Sequence, residues 1–460
     1  MNNDYSWDER IDDFMSVLHN KSVSTKKIFL NVSLLSTLVI LFFLKNDEEN
    51  ITKQDDIFTQ IKVRTKHLIS QEIINTEIDE QIRNFQHIKE LLLKYLINQK
   101  GEPAILITNL VEKCNLFFEN LLKSEKIFYI IPFTITFAIV HLTILRESLK
   151  LKTSSVDEVK EIISRYQSHF SDSFHQFFTW RMDQITTKTS ITNDSSSSSL
   201  FTFRANGEVR DTISNKQVNY VAKSSNDQIF LKVFDLIKLR MLNENKVELM
   251  KMFLHIFSLV KSFSDYETLR VISWPLNVRS FWVGPYGIDT FPDGSHNLED
   301  NSKLFYNISD DDPGIITKIV VRHYGIIDRV QAYYSNENDQ PNNENYRAGK
   351  SIGTGTGGTE TIISDLDNFS KYIIATYIKF HHGLLAAIEF IFNDGKTTGI
   401  LGDIAKEKTT RTVQIGPFGK YNEFRLSGMS GGGGKVIMGK EDFGENAAHI
   451  AFQFQYVDSL

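Results

Sequence analysis

The sequence predicts a multidomain chain of α and β parts: a helical bundle up to about residue 268, then an all-β region from about residue 280. The first observation behind this is glycine. Gly101 and Gly207 precede residue 284, and the other 23 of the 25 glycines follow. The second is proline: Pro103 and Pro132 come early, and the remaining six lie beyond residue 270. Both residues break helices and build turns, so a long stretch nearly free of them runs as helices. The third is the hydrophobic period, which is helical up to the junction at Ser264–Arg279 and strand-like after it.

A length of 460 residues exceeds one ordinary core and suggests two or three domains. The 41% hydrophobic and 23% charged content is that of a globular protein. A net charge of −6 argues against a nucleic-acid binder. The single cysteine, Cys114, excludes an internal disulfide and a thiolate metal site; among Leu110, Val111, Leu116 and Phe117 it reads as a small core residue.

Residues 1–27 form an acidic N-terminal segment without the basic start of an ordinary signal peptide, so the chain reads as soluble or membrane-associated. Ile28–Leu44 is strongly apolar. As a helix it would reach about 26 Å, slightly short of a bilayer core, so it reads either as a bundle helix or as an anchor. Lys21, Lys26 and Lys27 before it and Asp47, Glu48 and Glu49 after it would suit an anchor with its N-terminus inside.

Helical spacing then continues over Asp55–Leu96, Ala104–Leu122, Ile127–Leu145, Val156–Ile185 and Ile229–Phe263. Ile127–Leu145 is apolar nearly all round, the mark of a buried or membrane-inserting helix. Val159, Ile162, Ile163, Tyr166, Phe170, Phe174 and Phe177 form a stripe with four aromatic rings. Between the last two helices, residues 187–227 are polar and contain the Ser195–Ser199 run. Asn206-Gly207 there predicts a tight hairpin turn; the alternative is a flexible loop open to proteolysis.

This order resembles the N-terminal domain of the crystal-forming delta-endotoxins, the pore-forming insecticidal toxins. The carrying residues are the His141-Leu-Thr-Ile-Leu-Arg146-Glu147 run, Arg165-Tyr166 with Phe170, and Asn245–Glu267 with its Asp265-Tyr266 exit. The resemblance covers residues 28–268, although the Ser-rich loop is longer than the family's. It implies a bundle that hides an apolar hairpin and opens on a membrane. Ala104–Leu122 and Ile127–Leu145 would form that hairpin, with Ile127, Pro132, Phe137, His141, Leu145 and Arg146 on its inserting helix. Thr134, Thr136, Thr143 and His141 would turn polar groups to a pore, or else lie hydrogen-bonded in a soluble core.

Beyond the junction, Ile315–His323, Ile326–Tyr334, Tyr372–Phe380, Leu384–Phe392, Arg411–Ile415 and the last 15 residues read as short strands, with Gly349–Gly358 as a turn region. Such spacing favours a sandwich, barrel or prism. The segment Gly284-Pro-Tyr-Gly287, the run Ile319–Tyr333 with Ile327-Asp328-x-Val330, Gly357-Gly358, Tyr372-Ile373, Ile388-Glu-Phe390 and Gly428-Met-Ser-Gly431 resemble the jacalin-type lectins. That resemblance covers about residues 280–455 and implies a jacalin-like β-prism. It also implies a sugar site between an early Gly-rich loop, here Gly287, and a late loop, here Gly433, Gly434, Lys435 and Val436. Val436 stands where the family carries its sugar-binding aspartate.

Gly353–Gly358 lacks the strand-turn-helix setting of a nucleotide loop. Asp310-Asp311-Asp312 reads as a solvated turn, and His381-His382 lacks a third ligand, so no metal or other cofactor is expected. No nucleophile-base set or carboxylate pair suggests an enzyme. The combined expectation is a membrane-perturbing protein targeted by a lectin-like domain. Its partners would be a glycan or glycosylated receptor, membrane lipid and a homo-oligomeric copy, with no nucleic acid. The alternative is a soluble carbohydrate-binding protein whose bundle is a scaffold or oligomerisation domain.

Overall fold

The computed structural model describes residues 69–73, 79–97, 102–123, 127–193, 203–224, 228–261, 263, 269, 274–287, 315–335, 347–353, 357–367, 370–381, 384–402, 411–418, 423–438 and 441–457. The acidic segment 1–27, Ile28–Leu44, Ser195–Ser199, Asp310–Asp312 and His382 lie outside them. Among the described residues, a short helical turn at Gln71–Ile73 precedes α1 (Asp79–Ile97), α2 (Pro103–Leu122), α3 (Ile131–Lys150), α4 (Val156–Asp183), α5 (Gln228–Lys261) and the single turn α6 (Leu276–Arg279). Between α4 and α5 run β1 (Ile185–Asn193), β2 (Phe203–Asp211) and β3 (Gln217–Ser224). After α6 come β4 (Ser280–Tyr286), β5 (Ile315–His323), β6 (Ile327–Ser335), β7 (Arg347–Ala348), β8 (Thr359–Ile363), β9 (Ile373–His381), β10 (Leu384–Phe392), β11 (Leu401–Gly402), β12 (Arg411–Ile415), β13 (Phe424–Met438) and β14 (Glu441–Tyr456).

Two compact units result. One holds the described residues up to Trp180 together with Leu249–Val278; the other holds Arg181–Glu248 with Arg279 onward. The predicted junction at Ser264–Arg279 contains one of the three divisions; the other two fall near the end of α4 and within α5.

In the first unit α3 is the core. Every residue from Ile131 to Leu149 is buried except the half-buried Arg146. The expected single helix from Ile127 is corrected: Ile127–Ile130 forms a 3-10 turn and the α-helix starts at Ile131. Pro132 explains this, because it lacks an N–H and its ring excludes the carbonyl of an earlier turn, which suits a helix start. Around α3, α2 buries Ile107, Leu110, Cys114, Phe117, Phe118 and Leu121, one face at helical spacing. α4 begins with a reciprocal cap: Glu158 N–H donates to Ser155 Oγ (3.2 Å) and Ser155 N–H to Glu158 Oε2 (2.7 Å). All seven residues of its predicted stripe are buried. Each such side chain contributes roughly 1.5–3 kcal/mol by leaving water.

In the second unit every sheet is antiparallel, with orders β1-β2-β3, β7-β6-β5-β8, β11-β10-β9-β12 and β13-β14-β4. One strand from each of the last three sheets, β6, β10 and β14, contacts the other two. The predicted alternation of β5 is altered by a bulge between Ile316 and Lys318, so Ile316, Ile319 and Val321 share the buried side.

The predicted turn at Asn206-Gly207 is also corrected. Both residues lie inside β2, paired on both sides, and the stretch read as a polar connection carries three strands. Gly207 is needed for close approach: a Cβ there would lie 1.8 Å from the Phe234 ring of α5. Arg181, at the end of α4, is fully buried and bonds Asp211 at the end of β2 through Nη1–Oδ1 (3.0 Å) and Nη2–Oδ2 (2.7 Å).

Candidate functional site

The chemistry-bearing groups of the β unit gather where β5 ends and β6 and β8 begin. The turn Tyr324–Ile326 joins β5 to β6, and Tyr324 stands 82% exposed on it. The register slips by one residue between the Arg322/Arg329 and His323/Ile327 pairs, which re-aims His323. His323 Nδ1 accepts from Gly402 N–H (3.3 Å), so Nε2 carries the proton and donates to Thr361 Oγ1 (2.9 Å). Burial lowers the pKa of His323, opposed by Asp328. Burial likewise raises that of Asp328, opposed by His323.

Asp328 is half-buried, and among the described residues its carboxylate accepts no hydrogen bond. One of its oxygens, Oδ2, lies 2.7 Å from where a Cβ on Gly358 would be, and His323 O lies at 2.6 Å. Gly358 also has φ +75°, so glycine alone fits beneath the carboxylate. A Cβ on neighbouring Gly357 would meet none of the described residues within 4 Å. The arrangement is an uncommitted carboxylate beside open backbone and an exposed aromatic ring. Chemically it can accept hydrogen bonds from a polyol and stack on its apolar face. Among the described residues no group of three or more His, Cys, Asp or Glu could hold a metal ion.

The residues expected to hold a sugar are placed differently. Gly287 follows β4 with φ +102° and is buried. The expected late loop is corrected: Gly433, Gly434, Lys435 and Val436 lie in strand β13, where Gly433 pairs with Ala447, Gly434 with Asn446 and Lys435 with Glu445. The glycines allow backbones to meet, since a Cβ on Gly433 would lie 3.1 Å from Gly353 Cα and one on Gly431 2.2 Å from His449 O. Ile450 of β14 pairs with Tyr286 on one edge and Gly431 on the other, so the two predicted segments flank β14.

No family model matches this sequence. No curated protein matches it either. Among solved structures, PirB aligns over 96% of this chain and 94% of its own, with 14% identity and a TM-score of 0.46. A mannose-binding jacalin-related lectin from Ananas comosus aligns over 34% of this chain and 92% of its own, with 21% identity and a TM-score of 0.24. Artocarpin complexed with Me-alpha-mannose aligns over 38% and 98%, with 13% identity and a TM-score of 0.25.

The predicted membrane-inserting residues fall in the 3-10 turn, for Ile127, and in α3, for Pro132, Phe137, His141, Leu145 and Arg146. In this state their helix is satisfied internally. Thr134, Thr136 and Thr143 donate to the carbonyls of Ile130 (3.2 Å), Pro132 (3.1 Å) and Ile139 (2.7 Å). His141 Nδ1 pairs with Tyr166 Oη at 2.9 Å, while its buried Nε2 has no partner among the described residues. Phe137 packs edge-on against Phe85 and Phe117, with centroids at 5.9 and 4.7 Å. No helix among the described residues is long and apolar enough to cross a membrane.

Asp328, Gly357 and Gly358 are lectin-like positions in the sequence but carry no predicted site there. The usable signal was a carboxylate and a Gly-Gly pair, both next to turns. Their 30-residue separation hid the contact, which exists because β5 pairs with β6 on one edge and β8 on the other.

Proposed function

We propose that this chain is a toxin-like, membrane-perturbing and pore-forming protein whose β unit, a jacalin-like β-prism, binds a glycan at Asp328, Gly357 and Gly358. The observation that carries the recognition half is the Asp328 carboxylate, held over Gly358 and, among the described residues, unspent on hydrogen bonds. A desolvated acceptor beside open backbone suits sugar hydroxyls. The membrane half is supported by α3, an apolar helix wrapped by helices with buried apolar faces. On release onto a bilayer its threonines would need no new partners, since they bond within the helix. This function needs no catalytic group or cofactor; lipid and glycan are its partners.

A second reading is a carbohydrate-binding protein whose helices serve as a scaffold or oligomerisation domain. It is favoured by the absence, among the described residues, of a helix able to span a membrane. Two measurements on the full chain separate them. Glycan-array binding with loss in Asp328→Asn is expected under both, and silence of the unaltered protein across the array overturns glycan recognition. Dye release from glycolipid-bearing vesicles is expected under the first alone; its absence at every pH and after limited proteolysis overturns pore formation.

A further inference from the structure

In the same sheet, Arg329, Arg322 and Glu360 stand in one row across β6, β5 and β8. The register pairs Arg322 with Arg329 on one edge and with Glu360 on the other. Like charges directly opposite one another on neighbouring strands destabilise a sheet. Glu360 reaches both cations through a single oxygen: its Oε2 lies 2.8 Å from Arg322 Nε and 3.6 Å from Arg329 Nη2. Among the described residues the buried Arg329 Nε has no hydrogen-bond partner. All three side chains keep a quarter to two-fifths of their surface in solvent, at 25%, 30% and 37% for Arg329, Arg322 and Glu360. Within the row Arg329 is the more distant of the two guanidiniums from the Glu360 carboxylate.

Its position gives that charge a meaning. Arg329 follows Asp328 directly, and Glu360 lies two residues after Gly358, so the row begins beside the polyol site. Exposed Tyr324 sits at the same corner, and exposed Ile362 follows on β8. The geometry points to an acidic glycan as the ligand: a sugar hydroxyl pair on Asp328 and Gly357–Gly358, with the carboxylate of an adjoining sialic or uronic acid on the Arg329 guanidinium. This rests on the glycan reading of the Asp328 site and names its substrate class. A planar guanidinium with spare donors matches a carboxylate two-pronged, which a neutral sugar cannot exploit.

The test uses the full chain and titration calorimetry with a neutral oligosaccharide and its counterpart ending in a sialic or uronic acid. The acidic form is expected to bind about fivefold more tightly at low salt, the size of a partly exposed ion pair, and to lose that advantage at high salt. Arg329→Gln should erase the preference and leave neutral binding unchanged, while Arg329→Lys keeps part of it. Glu360→Gln should enlarge the preference, a gain that misfolding cannot produce. Equal binding of the two sugars, or a preference indifferent to Arg329→Gln and Glu360→Gln, overturns the inference while the Asp328 site stands. Absence of any glycan binding overturns both. Arg329-dependent binding to anionic phospholipid vesicles without a glycan preference assigns the row to lipid headgroups and also overturns it.

Discussion

Arg181 and Asp211 form a two-pronged ion pair sealed from water, joining the end of α4 to the end of β2 with bonds of 3.0 and 2.7 Å. Asp211 also accepts from Ile213 N–H (3.0 Å) and Ser214 Oγ (2.8 Å), so both of its oxygens are occupied. Burial would raise its pKa, but the hydrogen bonds and charge of Arg181, with Ser214 and Ile213, hold it below the usual carboxylate range.

Arg181→Met should destabilise the fold by roughly 3–5 kcal/mol, because a buried carboxylate is left unpaired. The double variant Arg181→Met with Asp211→Leu should recover much of that loss. Denaturant melts of the three proteins check this, and equal stability of single and double variants would contradict it. The pH sign follows from the lowered Asp211 pKa: its contribution is present above the unfolded value of 3.8 and is lost as pH falls through the folded one.

A separate acid sensitivity comes from histidine. Burial, with Arg165 adding repulsion, lowers His141 to about 3, and burial, opposed by Asp172, lowers His169 to about 4. The unfolded chain therefore binds protons that the fold refuses, and stability falls as pH drops below 6.5. Between pH 6.5 and 5 each histidine should cost about 2 kcal/mol. Thermal melts across that range should show a shallower pH slope for His141→Gln. An identical slope would place the sensitivity elsewhere.

Gly207→Ala places a methyl group inside the Phe234 ring position. Overpacking of this kind costs roughly 1–3 kcal/mol. Phe234→Ala should be destabilising alone yet largely suppress the effect of Gly207→Ala. Additive losses in urea melts would count against a direct clash.

Gly358→Ala attacks the candidate site itself, since its Cβ would press on Asp328 Oδ2 and His323 O. Glycan binding should fall at least tenfold, a loss of about 1.4 kcal/mol in affinity. Gly357→Ala, with open space before it, should leave the melting temperature unchanged and blunt binding through bulk alone. Calorimetry alongside melts separates the two effects.

Much of the architecture was legible in one dimension. Glycine and proline placement separated helices from strands, and the Val159–Phe177 stripe marked the buried face of α4. β5, β10 and β12 span the residues expected to form strands. Local propensity and burial periodicity act over a few residues, so a linear reading captures them. It misread Asn206-Gly207 and Gly431–Gly434 for one reason. Glycine serves a tight turn and a close backbone approach equally well, and only the partner distinguishes them. Here those partners are Phe234, His449 and Gly353.

The candidate site lay wholly on the tertiary side of that line. Composition and spacing determined that the chain has a buried apolar helix and a strand-rich, glycine-rich half. Strand pairing decided that Asp328 meets Gly358, that Arg329, Arg322 and Glu360 share a row, and that Arg181 finds Asp211. Periodicity reports which side of an element is buried. Register and long-range packing decide which charges face one another, and no local signal encodes them.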